Sequence, residues 1–193
     1  ISARERMAAM ANMADARFQS CERRIRDALA ELLRTKSLTD ISVSELAREA
    51  HVSRATFYMH HDNVGDAYEE LVREAMADVR TFDEQFSCGE AGCRGEGKLR
   101  YCERVRTEER FKGVVREARF FPSMMYLTWE DSESNATAKG IDQAAMRALR
   151  LFQMSGCHAV ATSELAERSD WERIRRIIDA FIEGGLRAVE GMR

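Results

Sequence analysis

A chain of 193 residues, 45% hydrophobic and 33% charged, is long enough to bury a sizeable core, and this composition excludes intrinsic disorder. No uninterrupted apolar stretch approaches the roughly 20 residues that span a bilayer, and no basic segment followed by an apolar run opens the chain, so a cytoplasmic protein without membrane contact is expected. The net charge of −3 argues against a uniformly basic nucleic-acid binder: residues 1–66 carry 10 Lys and Arg against 10 Asp and Glu, and the remainder carries 20 against 23.

A single proline, Pro122, points to an all-α fold, because proline is tolerated mainly outside helix interiors. The five cysteines, at 21, 88, 93, 102 and 157, are odd in number, which favours reduced thiols over a disulfide framework. From Phe18 to Leu33 the residues Ile25, Ala28, Leu29, Leu32 and Leu33 recur at helical spacing and predict a packed first helix. After Thr39 and Asp40, Ser42 or Ser44 can cap a short second helix with Leu46, Ala47 and Ala50 on its apolar face. Ser53 can cap a third, running from Arg54 to His60, so two short helices flank a tight turn.

Asn63 and Asp66 have capping-box spacing, and the stripe Tyr68, Leu71, Val72, Ala75, Val79, Phe82 and Phe86 predicts a long fourth helix. Ser87 to Gly97 is glycine-rich and reads as a loop. Leu99 to Phe121 reads as helix again, ended or kinked at Pro122, and a second break falls at Glu130 to Asn135. Two helices close the chain. One carries Ile141 to Val160, and the other starts at a Ser169–Glu172 capping box and carries Trp171, Ile174, Ile177, Ile178, Phe181, Ile182 and Leu186 on a wide apolar face.

The segment from Val43 to His60 has the makings of a helix-turn-helix. Ala47 is small where two helices must cross, and Val52 and Phe57 close a miniature core, which leaves Arg54, Ala55, Thr56, Tyr58, Met59 and His60 to project outward. Arginine can fork onto guanine, hydroxyls and imidazole can reach phosphate oxygens, and Ala55 can sit against a thymine methyl. Over Arg24 to Leu71, and above all in Ala-x-x-x-x-Val-Ser-x-x-Thr-Phe-Tyr-x-His, the chain resembles the DNA-binding head of the tetracycline-repressor (TetR) family.

That resemblance implies a head over residues 1–66, with its helix-turn-helix core at 44–60, and a ligand-sensing and dimerisation domain over 67–193. It implies double-stranded operator DNA, a small-molecule effector and a second copy of the chain as partners. Base reading then falls on Arg54, Ala55 and Thr56, and phosphate contacts on Ser44, Tyr58 and His60. Three positions depart from the family pattern. His51 stands where the family most often has a turn glycine, His61 where an aromatic is common, and Val64, two residues after Asp62, where a phosphate-touching lysine is usual. A lost cation and an added anion predict modest affinity and a shallow salt dependence.

For the second domain the resemblance is architectural only. Phe111, Phe120, Phe121, Met124, Met125, Tyr126, Trp129, Phe152 and Met154 are the large apolar groups that would line a pocket, although each also reads as ordinary core. Leu149, Phe152, Ile174, Ile178, Phe181 and Ile182 are the expected dimer contacts. Cys88, Cys93 and Cys102 are spaced C-x4-C-x8-C, which is no zinc signature, so a thiol or metal sensor is an alternative rather than the leading reading. No phosphate loop, nucleophile elbow or metal-ligand pair points to an enzyme, and no cofactor or metal is expected. A helical adaptor that binds only protein is the third class, and it leaves Arg54, Thr56, Tyr58 and His60 without a role.

Overall fold

A computed structural model describes residues 3–77, 79, 100–127 and 143–190, with side chains from Ala16 onward except at positions 146, 186, 189 and 190. Among the described residues the structure is all-helical, with no strand, and no described helix is long and apolar enough to cross a membrane. The chain divides into two compact units, residues 1–72 and 73–193, which are taken one at a time.

In the first unit α1 (Ala3–Leu32) places Ile25, Ala28 and Leu29 in the core, as their spacing requires. A 3₁₀ turn, Leu38–Asp40, then drops Leu38 and Ile41 inward. Ser42, rather than Ser44, caps α2 (Val43–Glu49) by accepting from the Glu45 N–H at 3.2 Å. Ser53 caps α3 (Arg54–His60) by accepting from the Thr56 N–H at 2.9 Å. Each such cap typically contributes about 1 kcal/mol, a large share for helices of two turns that would not form alone.

Helix α4 (Val64–Met76) begins with Asn63 accepting from the Asp66 N–H at 3.1 Å. The reciprocal arm of a capping box lands one residue early, since the Asp66 carboxylate accepts from the Asp62 N–H at 3.2 Å. Phe57, Tyr68, Leu71 and Val72 are fully buried, each such side chain worth roughly 1.5–3 kcal/mol of transfer free energy. The fourth helix is shorter than its stripe predicts: it ends at Met76, and the Val79 N–H donates to the Met76 carbonyl at 3.2 Å. Phe82, Phe86 and the glycine-rich loop lie outside the described residues.

In the second unit the expected single helix from Leu99 to Phe121 is three short ones. These are α5 (Tyr101–Thr107), α6 (Lys112–Arg116) and α7 (Phe120–Leu127), with a 3₁₀ turn at Glu109–Phe111 before α6. Thr107 donates its hydroxyl to the Glu103 carbonyl at 2.8 Å, and Glu108 and Glu117 take extended backbone angles. Local side-chain bonding of this kind competes with helix continuation, and apolar periodicity does not register it. Pro122 neither ends nor kinks a helix here. It sits third in α7, inside the first turn, where its missing N–H costs nothing.

Helix α8 (Gln143–Ala161) ends where Thr162 and Ser163 turn their hydroxyls back onto the carbonyls of His158 and Val160. Ser163 then caps a 3₁₀ turn at Glu164–Glu167, and α9 (Trp171–Glu190) follows. The predicted Ser169–Glu172 box is not made, because the Glu172 carboxylate is held by Arg175 one turn on. The second core gathers Tyr101, Val105, Phe111, Val114, Phe120, Met124 and Met154.

Candidate nucleic-acid interface

The turn between α2 and α3 is tight because His51 adopts a left-handed conformation, φ 53°, the only described non-glycine residue to do so. Its N–H donates to the Arg48 carbonyl and that of Val52 to the Ala47 carbonyl, so the turn is closed by backbone bonds. Arg24 of α1 reaches across and donates to the His51 carbonyl at 3.2 Å. Ala47 is 2% exposed at the crossing and Phe57 is fully buried beneath α3. A side chain in this backbone region costs roughly 1–2 kcal/mol, which the closed turn and the packed helices override.

Which residues of α3 face outward follows from its periodicity. Positions 54, 55, 58 and 59 form one stripe, and Arg54 and Ala55 are exposed, Tyr58 is 50% exposed and Met59 74%. Positions 56, 57, 60 and 61 form the opposite one. Thr56 is half-buried and its hydroxyl is already bonded to that of Ser53 at 2.8 Å. The His60 side chain is only 3% exposed, with its ring 4.0 Å from that of Phe18 and its Nδ1 3.8 Å from the Glu22 carboxylate.

His60 is therefore not among the outward residues, contrary to expectation, and Thr56 is only half-exposed with its hydroxyl already engaged. Ser44 is exposed in the first turn of α2, where it is free of capping duty. His61, at the position where the TetR pattern favours an aromatic, is buried against Phe57, 5.6 Å between ring centroids. Its Nδ1 lies 3.6 Å from the Asp66 carboxylate, and its Nε2 has no hydrogen-bond partner among the described residues. Burial holds this imidazole below the usual histidine range, against the pull of the Asp66, Glu22 and Glu70 carboxylates.

In the second unit none of the expected pocket residues lines the pocket formed at α5, α8 and α9. Phe111, Phe120, Met124 and Met125 are closed into the core, whereas Tyr126 and Phe152 are 80% and 69% exposed; Trp129 lies outside the described residues. A small pocket of about 50 Å³ opens instead between the start of α5, the middle of α8 and α9. Among the residues that line it are Arg100, Cys102, Gln153, Trp171, Arg175 and Asp179. Arg100 donates to both Asp179 oxygens at 2.8 Å, and Arg175 to one of them at 2.9 Å. No local pattern signals this network, since 79 residues separate Arg100 from Asp179.

Burial pushes the Cys102 thiol up to about 12, so it stays protonated and lacks the thiolate character of a reactive cysteine. Cys88 and Cys93 lie outside the described residues, and among those described no group of three His, Cys, Asp or Glu is placed to hold a metal. His158, beside Cys157, shares a 2.6 Å hydrogen bond with the Tyr101 hydroxyl and packs on Phe120 and Phe121.

The expected dimer residues divide into two rows. Ile174, Ile178 and Ile182 are half-buried and face their own unit, the latter two lining the pocket, and Leu149 is likewise half-buried. Phe152 and Phe181 belong to an outward row. Ala148, Leu151, Phe152, Ser155, Gly156 and Ala159 of α8 are exposed or half-exposed at i, i+3, i+4, i+7, i+8 and i+11, and Ile177, Phe181, Gly184 and Ala188 of α9 repeat the pattern. No family model, curated protein or solved structure matches the chain.

Proposed function

We propose that the chain is a dimeric, sequence-specific DNA-binding regulator of the TetR type, a repressor that leaves its operator when a small molecule binds the second unit. The observation that carries this reading is the outward stripe of α3. Arg54, Ala55, Tyr58 and Met59 stand together on a short helix whose pitch is set by a closed, left-handed turn and by Phe57 beneath it. That stripe offers a forked cation, a methyl-sized contact, a phenol and a flexible apolar group over a length suited to a major groove.

Two copies are needed, because one stripe reads only a few base pairs and a two-fold dimer presents two. The outward rows of α8 and α9 supply the means. Small residues at Ser155, Gly156, Ala159 and Gly184 allow close approach, nothing lying within 4 Å of a Cβ added at either glycine, while Phe152, Ile177 and Phe181 fill the space between. This reading assigns the protein binding rather than catalysis, and cytoplasmic work on double-stranded DNA.

The test is a mobility shift of the full chain against a pool of random duplexes at low salt, with the retained duplexes sequenced. Enrichment of a common motif is expected. Retention without enrichment would reduce the reading to non-specific binding, and no retention would remove it in favour of a protein-binding adaptor.

A further inference from the structure

A second pocket of the second unit, about 40 Å³ in volume, opens between the last turn of α5, α6 and the turn that follows α8, and its wall is more polar than that of the α5–α8–α9 pocket. The buried Val105, Val115, Ala161 and Ala166 supply its apolar lining. Three cations line it, Arg106, Lys112 and Arg116, against one carboxylate, Glu167. Lys112 and Arg116 stand at i and i+4 on α6 and so share a face, while Arg106 comes from the last turn of α5.

These cations are poorly matched within the chain. Elsewhere in the unit Arg100, Arg104, Arg110 and Arg175 each form an ion pair with a carboxylate, whereas Arg106 and Arg116 form none among the described residues. The Arg106 guanidinium is held over the Trp171 ring instead, 5.6 Å from its centroid. Stacking engages the face of that group and leaves its in-plane N–H donors to other partners. Lys112 pairs with Glu109, whose side chain is 74% exposed and does not line the pocket, and a surface pair of this kind contributes little. The neutral polar groups are already engaged, since the Thr162 and Ser163 hydroxyls donate to the carbonyls of His158 and Val160. The polarity left over is cationic, on an apolar backing that screens it less than water would.

We infer that this pocket binds a tetrahedral oxyanion of the phosphate class, with Arg106 and Arg116 offering forked N–H donors and Lys112 a point charge. Arginine forks match phosphate oxygens in pairs, and a compact ammonium adds attraction without fixing orientation. A carboxylate presents two oxygens and a single charge, so it uses fewer of these donors. A volume of about 40 Å³ takes one phosphate-sized group and is far below the roughly 300–1,000 Å³ of a drug-sized site. The anion is either free phosphate or the phosphate of a small ester whose remainder lies outside. Its binding involves no DNA, so the site stands or falls apart from the regulator reading.

The test is calorimetric titration of the full chain at constant ionic strength, set with chloride. Inorganic phosphate is expected to bind saturably at roughly millimolar concentration, sulfate within about 3-fold of it, and acetate at least about 10-fold more weakly. Glycerol 3-phosphate binding at least as tightly as inorganic phosphate identifies an ester as the source, and weaker binding identifies the free ion. Arg106→Gln should weaken phosphate binding about 10-fold or more, and Glu167→Gln, which removes the opposing charge at an exposed position, should tighten it about 3-fold. Arg173→Gln, at an exposed arginine of α9 outside the pocket, should leave it unchanged.

Absence of saturation, acetate binding as tight as that of phosphate, an equal loss in Arg173→Gln, or a phosphate affinity that Arg106→Gln and Glu167→Gln both leave unchanged would each overturn the proposal and leave a solvated charged face. If Arg106→Gln does not fold, Glu167→Gln decides alone, and an affinity it does not raise contradicts the site.

Discussion

His51 shows how far a residue can be read in advance and what it costs. Its place in the turn was legible because a tight helix-turn-helix needs a left-handed residue, and the backbone angle of 53° is of that kind. Glycine relieves the side-chain penalty but loses more freedom on folding, so His51→Gly should raise stability by only about 0.5–1 kcal/mol, and His51→Val should lower it by about 1–2 kcal/mol. Denaturant midpoints of the two variants check both signs. His61 was legible as a departure, but not its burial or its missing partner. Because burial depresses its folded pKa, the unfolded chain takes up the proton first as pH falls below about 6.5, the ordinary histidine value. The stability His61 contributes is complete above that pH and is lost as pH drops through the depressed value. His61→Phe should flatten the fall in Tm below about pH 6.5 and add roughly 1 kcal/mol at pH 7; a fall of unchanged steepness would place the titration elsewhere.

Elements were read well where period and cap coincided and badly where side chains competed for the backbone. Helices α1, α2 and α3 follow from apolar spacing and serine caps, and α8 and α9 from long stripes. The division of Leu99–Phe121 into three pieces was invisible, because Thr107 and the extended Glu108 and Glu117 leave no mark on hydrophobic period. The wide apolar face of α9 was legible, but its two rows differ in role: Ile174, Ile178 and Ile182 look inward, whereas Ile177 and Phe181 are 60% and 69% exposed. Phe181→Asp should therefore weaken self-association roughly 100-fold or more by burying an unpaired charge, measured by sedimentation across concentration. Ile178→Ala should lower the unit's own stability by roughly 1–3 kcal/mol and leave the dimer constant unchanged. Equal effects of the two on association would mean that the rows are misassigned.

For the molecule as a whole, the all-helical class was readable from a lone proline and sustained periodicity, and the outward placing of Arg54, Ala55, Tyr58 and Met59 from α3's own pitch, whereas that of Thr56 and His60 was not. The pocket was not, because Gln153, Trp171, Arg100 and Asp179 meet only through the packing of distant helices. Within the stripe, Arg54→Ala should relax preference at one position of each half-site and cost roughly 1–3 kcal/mol, while Tyr58→Phe should weaken all sequences alike. Val64, half-exposed at the start of α4, stands where the resemblance places a lysine on phosphate. Val64→Lys should tighten specific and random duplexes by similar factors and steepen the log–log salt slope by roughly 0.9 for each phosphate it neutralises.

The most direct measurement is a hydroxyl-radical footprint of the full chain on the duplex enriched from the random pool. Two protected half-sites related by inversion are predicted, their centres roughly 10–10.5 base pairs apart or a whole multiple of that, with protection halved when Phe181→Asp prevents pairing. A single unrepeated footprint, or two at a spacing that puts them on opposite faces of the duplex, would contradict a two-fold dimer reading DNA through α3.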